Sequence, residues 1–308
     1  MRLSRLLACC VLGCGSSTPD VFNIDTDSGG PQFKNDGGDP KFGEGGTDGN
    51  GGPPGCTEAA KLVYLVTEQG DLWSFDPGTI ALAKIGKLDC PTGALVTPNS
   101  MAVDRDAKAY VNMSDGSIFT ANTTNAHCSA TSYQDGQTGR RVRGMGFSSD
   151  TAGGTAETLF TCTSDSAAVM TGSGLGLAKV DVNSYALTPL GDYTNGIAGA
   201  ECELTGTGDA RLFGFFALLT PPKLSQIDKT SAATTSPVPL GGVSTSSAYA
   251  FTFWGGDFWF YTAAQGGNSK ITRYRYSTNK SFSVVKADTG MTIVGAGVST
   301  CAPTIAPN

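Results

Sequence analysis

Histidine is almost absent: His127 is the only one in 308 residues. A Ser-His-Asp triad needs an imidazole base, and His127 lies beside Cys128 in a turn-forming stretch, with no Gly-x-Ser-x-Gly elbow in the chain. It reads as a surface or turn histidine. A zinc site needs a cluster of nitrogen or sulfur ligands, and residues 56–308 hold no Cys-x-x-Cys, so no metal is expected. Charge is also scarce, at 16% of residues against a usual quarter or so. Lys and Arg number 21 against 27 Asp and Glu, for a net charge of −6. Without Arg2 and Arg5 in the leading segment this becomes −8, and no basic stripe compensates. That excludes a nucleic-acid partner, which needs clustered cations to displace counterions, and disfavours electrostatic docking on anionic lipid. Long hydrophobic runs and helical periodicity are missing after the first dozen residues. The Gly-rich run at residues 172–177 lacks a following helix and reads as a hairpin, so no cofactor motif is present.

Glycine is plentiful, with 42 residues, and Val, Thr, Phe and Tyr recur in alternating runs. Such a chain is rich in turns and strands. Its length suits one large all-β domain.

The first 14 residues, MRLSRLLACCVLGC, carry Arg2 and Arg5 ahead of the short apolar run Leu6–Leu12. This run is too short to span a bilayer and fits a secretory signal. The ending Val11-Leu12-Gly13-Cys14 resembles a bacterial lipobox. That resemblance implies a signal peptide over residues 1–13, loss of Cys9 and Cys10, and lipid attachment at Cys14. No Asp follows Cys14, which favours the outer membrane or the cell surface. An ordinary signal peptide is the competing reading. Residues 14–55 have no periodic apolar face and read as a disordered Gly-rich tether. A coil of about 40 residues has an r.m.s. reach of roughly 35 Å.

Residues 56–308 carry a five-fold echo. Five apolar segments recur: Ser100–Asp104 (SMAVD), Gly144–Ser148 (GMGFS), Gly199–Leu204 (GAECEL), Tyr249–Trp254 (YAFTFW) and Val294–Ser299 (VGAGVS). Four are followed by three further strand-like runs. The fifth ends the chain, and its missing partners lie at residues 61–89. The third runs align as Asp71–Asp76, Ser117–Asn122, Gly176–Asp181, Lys223–Asp228 and Lys270–Arg275. Each alternates apolar and polar residues, and four end in Asp or Asn, which cap turns. Four strands per unit, spaced by roughly 45 to 55 residues, are the signature of propeller blades. The expected fold is an all-β, five-bladed β-propeller whose last blade takes its inner strand from residues 292–299. A β-sandwich with coincidental repeats is the alternative.

Six cysteines fall in this domain, and six allow 15 pairings. Propeller topology brings Cys56 and Cys301 together where an inner hairpin has been cut, so their bond would clasp the ring, worth about 4–5 kcal/mol by chain entropy. Cys162–Cys202 is a cross-blade pairing. Cys90–Cys128 is what remains, although strand directions place the two at opposite ends of neighbouring outer strands.

Glu201 and Glu203 lie on one inner strand and point to one side by the period of two. Paired axial carboxylates suit acid–base work on a glycosidic bond. Polar satisfaction near the axis is the competing explanation. Arg140, Arg141 and Arg143 read as a loop entering blade three, either gripping an anion or simply solvated. Phe251, Phe253, Trp254, Phe258, Trp259, Phe260 and Tyr261 fill the wedge between blades or stack sugars.

Segments Glu203–Asp209 with Arg211–Phe216, Ala250–Phe258 and Ile293–Pro303 resemble a group of uncharacterised secreted lipoproteins from myxobacteria. The resemblance covers most of residues 56–303 as well as the signal and tether, and it brings no activity with it. Cys162 and Cys202 depart from that group's pattern. The expected function is a lipid-anchored cell-envelope protein, bound to the membrane through its anchor, whose propeller is a non-enzymatic binding or scaffold module for a glycan or envelope protein. The alternatives are a glycoside-active enzyme using Glu201 or Glu203 and a purely structural envelope component.

Overall fold

The computed structural model describes residues 55–167, 174–244 and 247–307. The expected signal peptide, Cys14, the tether up to residue 54, and the first half of the Gly-rich hairpin lie outside them. Twenty strands follow in chain order. They are β1 Val63–Thr67, β2 Asp71–Asp76, β3 Ala81–Lys87, β4 Pro98–Val103, β5 Lys108–Met113, β6 Ile118–Asn122 and β7 Cys128–Ala130. Next come β8 Arg140–Ser149, β9 Glu157–Asp165, β10 Gly174–Val180, β11 Leu187–Gly191, β12 Glu203–Gly206, β13 Leu212–Phe216, β14 Lys223–Ile227 and β15 Val238–Pro239. The last five are β16 Ala248–Trp254, β17 Asp257–Ala263, β18 Lys270–Tyr274, β19 Phe282–Lys286 and β20 Ile293–Val298.

They form five antiparallel four-stranded sheets. Blade one has the order β20-β1-β2-β3, so the C-terminal strand completes the blade that the first strands begin. Blades two to five are β4–β7, β8–β11, β12–β15 and β16–β19. The inner strands β20, β4, β8, β12 and β16 pack side by side in that order and close on β20 again. The protein is a five-bladed β-propeller, and closure leaves no open inner sheet edge. Its upper face carries the loops that lead into each inner strand. Its lower face carries the hairpins between the first and second strands.

Small residues make the tight ring possible. A Cβ on Gly206 would fall 2.1 Å from the Phe147 carbonyl oxygen, and one on Gly144 would fall 2.2 Å from that of Cys202. Backbone therefore meets backbone where β8 and β12 adjoin. Outside the ring, apolar wedges separate the blades. Phe213, Phe215, Phe251, Phe253, Phe258 and Phe260 fill the wedge between blades four and five. Trp259 and Tyr261 pack with Phe75 in the next wedge, with Phe75 and Trp259 edge to face at 5.7 Å. The whole aromatic run is core, which leaves no open stacking platform there.

The turns between third and fourth strands repeat a device. Oδ1 of Asp76, Asn122, Asp181 and Asp228 accepts the backbone N–H two residues on, at 2.7–3.0 Å. Four residues after each cap the backbone turns left-handed, at Ile80, Ala126, Tyr185 and Ala232, with φ between 55° and 62°. In blade five Arg275 replaces the cap. There Asn279 Oδ1 accepts from Ser281, and Lys280 takes the left-handed position.

Three disulfides cross seams of the ring. Cys56–Cys301 links residues 245 apart beside the closing strand. Cys162–Cys202 joins β9 to the segment entering β12. Cys90–Cys128 joins the ends of neighbouring outer strands, which straight strands would have kept apart. The reason is twist. Each strand turns ~20–25° against the last, so the outermost one lies far from the axis direction. The end of β3 then reaches the start of β7, where Asp89 Oδ1 also accepts the Cys128 N–H at 2.6 Å. Three disulfides indicate an oxidising, extracytoplasmic compartment. Two outer strands are short: β7 has three residues, Cys128–Ala130, and β15 has two, Val238–Pro239.

Candidate functional site

The lower end of the axis is closed by crossing loops. Glu157, which opens β9, accepts the Arg105 N–H at 2.8 Å and the Thr300 hydroxyl at 2.7 Å. The Arg105 guanidinium donates to Thr300 Oγ1 at 3.2 Å. Gly153 N donates to the Gly208 carbonyl at 2.9 Å, and Gly208 lies flat against Thr300. Burial pushes the Glu157 carboxyl up to about 7, with Arg105 and Thr300 working against that rise.

The upper end is different. Each inner strand, or for β12 the segment leading into it, contributes one partly buried or buried residue to a ring at the mouth: Asn99, Arg143, Glu201, Tyr249 and Val294. Beneath them Glu203 and Ser100 are buried. Ser100 Oγ accepts the Met145 N–H at 3.1 Å, so its own proton goes to Glu203 Oε2, at 2.8 Å. This chain runs across the axis, from blade three through blade two to blade four. Glu203 Oε1 takes no hydrogen bond among the described residues, and it is not a sealed orphan. Burial pushes the Glu203 carboxyl up to about 8. At neutral pH burial thus favours the carboxylic acid form, and Oε1 is the oxygen that the Ser100 bond leaves open. Burial also raises the Tyr249 hydroxyl above its usual range, with Glu203 and Glu201 adding to the rise. Arg143 donates from Nε to Ser164 Oγ at 2.8 Å and stands 4.0 Å from Glu201. The mouth thus carries one matched pair of charges, a neutral acid, a phenol and an amide.

Glu201 and Glu203 do lie on one side of their segment, with Cys202 turned the other way into its disulfide. They stand beside each other, with Glu203 fastened to Ser100, so the pair does not frame an open space across which a glycosidic bond would lie. The arginines correct the sequence reading. Arg140, Arg141 and Arg143 belong to strand β8, whose ten residues carry it past the ring to the upper rim. Each is engaged within the protein. Arg140 donates to Thr163 Oγ1 and the Leu175 carbonyl, and Arg141 pairs with Asp135 at 2.7 Å. They form no shared anion clamp. His127 is exposed, with Nδ1 2.7 Å from Asp89. Among the described residues no group of three or more His, Cys, Asp or Glu side chains is placed to hold a metal ion.

Asn99, Ser100, Tyr249 and Val294 escaped the sequence reading. The mouth residues lie near the start of each inner strand but at no fixed position: Asn99, Tyr249 and Val294 are second in β4, β16 and β20, Arg143 is fourth in β8, and Glu201 precedes β12.

Fold and site together define a disulfide-braced five-bladed propeller with a blind axis and a polar upper mouth. No protein-family model matches the chain, and no curated protein matches it. Among solved structures it is similar to TolB from Acinetobacter baumannii, at 15% identity and TM-score 0.41, over 73% of this chain and 52% of that one. It is similar to a gluconolactonase from Xanthomonas campestris, at 10% identity and TM-score 0.48, over 75% and 74%. The Dos1 propeller matches at 12% identity and TM-score 0.43, over 80% and 71%. The chain spans about half the length of the TolB structure. No activity follows from likeness at this level.

Proposed function

We propose that this is a lipid-anchored cell-envelope binding module, attached through Cys14, whose upper axial mouth holds a neutral, polyhydroxylated ligand such as the exposed unit of a glycan. What carries this reading is the buried Glu203 carboxyl, with Oε1 taking no hydrogen bond among the described residues, near the Tyr249 phenol, in a mouth whose charges among the described residues, Arg143 and Glu201, stand 4.0 Å apart. A carbohydrate offers both donors and acceptors without net charge, and buried polar groups reject ligands that leave them unpaired. An anion would meet a neutral acid and a spoken-for arginine. A glycoside-cleaving enzyme would need a second carboxylate placed across the bond from Glu203.

A neutral-glycan array probed with the detergent-solubilised full-length protein tests the reading. Retention of neutral glycans that falls at least tenfold in both Tyr249→Ala and Arg143→Gln is expected. Retention of acidic glycans alone, unchanged retention in both variants, or no retention of any glycan would overturn it, the last favouring a purely structural component.

A further inference from the structure

A second site opens on the same upper face, at the seam between blades one and two. It is a cleft of about 430 Å³, within the range of small-ligand sites. Its floor is apolar, from Leu88, Val96, Pro98 and Met113, and its rim carries Glu68 and Lys87. The far wall is already set. Cys90 is bonded to Cys128, Val96 N donates to the Gly93 carbonyl at 3.0 Å, and Thr97 N donates to Ser114 Oγ at 3.1 Å.

The two rim charges are uncommitted. Among the described residues Glu68 and Lys87 have no side-chain hydrogen bond or ion pair, although Lys84, one turn of the pleat away, is bonded to Asp71 at 2.8 Å. A comparable cleft on the lower face differs in this respect. There Lys108 faces Asp104 at 3.5 Å and His127 faces Asp89 at 2.7 Å, so both already have partners. Position separates Glu68 from Lys87. Glu68 lies in the turn after β1, its N–H on the Thr292 carbonyl at 2.9 Å, next to the inner strand. Lys87 ends the outermost strand of the same blade. Two strand spacings are ~10 Å, which is the reach of about three extended residues.

We propose that this cleft binds a short peptide with free termini, about three residues long. Its ammonium meets Glu68 near the axis, its carboxylate meets Lys87 at the rim, and an apolar central side chain rests on Leu88, Val96 and Met113. Opposite charges at the two ends of one trough, with Leu88, Val96 and Met113 among polar Gln69, Thr92 and Thr97, match a zwitterion of that length, and a neutral sugar would leave both charges unanswered. The inference is independent of the axial mouth, which shares none of these residues.

Calorimetry with the detergent-solubilised full-length protein tests it, using Ala-Leu-Ala, its N-acetylated form and its C-terminal amide. The free tripeptide is expected to bind at least tenfold more tightly than either capped form. In Glu68→Gln the penalty for N-acetylation disappears, and in Lys87→Gln the penalty for amidation disappears. Both side chains are exposed, so neither substitution threatens folding, and Tyr249→Ala leaves peptide binding unchanged. No heat from Ala-Leu-Ala at millimolar concentration, equal binding of capped and free forms, or variants that keep both penalties would overturn the proposal. Displacement of the tripeptide by a neutral oligosaccharide would overturn it as well.

Discussion

Replacing Glu203 with Gln should flatten the pH dependence of stability above neutrality. The carboxyl titrates near 4.5 in an unfolded chain and is pushed up to about 8 by burial in the folded one. Between those values the folded state holds a proton that the unfolded state has released, so stability falls as pH rises. The contribution is complete below pH 4.5 and is lost as pH passes through 8. Linkage gives a loss of roughly 3 to 4 kcal/mol from pH 5 to pH 8, with about 1 kcal/mol of it between 7 and 8. Glu157, held near 7 by the same cause, acts in the same direction but mainly below pH 7. The window from 7 to 8.5 therefore isolates Glu203. Gln at this position still accepts from Ser100 through its carbonyl and donates outward through its amide, so it copies the neutral acid. Urea unfolding followed by the fluorescence of the 3 tryptophans, with disulfides intact, reads the difference. Near pH 5 the variant should match the wild type, and by pH 8 it should be more stable by several kcal/mol. A variant that loses stability as steeply as the wild type between pH 7 and 8.5 would show that Glu203 is already ionised there. The account of the mouth as a neutral donor would fall with it.

Three other outcomes follow from the packing. Gly206→Ala puts a Cβ 2.1 Å from the Phe147 carbonyl oxygen and should cost more than ~3 kcal/mol, whereas Gly241→Ala meets nothing within 4 Å and should stay within ~0.5 kcal/mol, both by urea unfolding. Cys56→Ser with Cys301→Ser frees a loop of 245 residues and should cost ~5 kcal/mol by chain entropy, seen as a lower midpoint; an unchanged midpoint refutes the clasp. Asp228, pulled down to about 2 chiefly by the Thr230 hydroxyl, caps an exposed turn, so Asp228→Ala should cost ~1 kcal/mol at pH 7. Its folded value lies below the unfolded one, so that difference should persist above pH 4 and vanish as pH falls through 2.

Strands and closure were legible because the period of two and the turn residues report local geometry. Residues 292–299 fell to the inner strand of blade one for want of any other partner. Arg140, Arg141 and Arg143 misled because three cations in four residues look like solvated loop, while β8 uses them to extend beyond the ring, Arg140 and Arg143 with partners on neighbouring strands and Arg141 with Asp135 in the turn before β8. The Cys90–Cys128 bond depends on accumulated twist, which no spacing of residues records. The left-handed turn positions carried Ile, Ala, Tyr and Lys instead of Gly, so composition gave no warning of them. The axial mouth is assembled from five positions spread over some 195 residues between Asn99 and Val294, which stand at different places along or before their strands, so no fixed spacing marks them.

Function depends on which face the ring presents. The described chain begins at Gly55, beside the Cys56–Cys301 clasp, and Cys301 follows the lower end of the closing strand. Gly255, in the lower hairpin of blade five, donates to the Pro303 carbonyl at 2.7 Å, so both ends of the propeller are held on that face. The axis is stoppered there by Glu157, Thr300 and Gly208. The mouth with Glu203 and the cleft with Glu68 and Lys87 open on the opposite face.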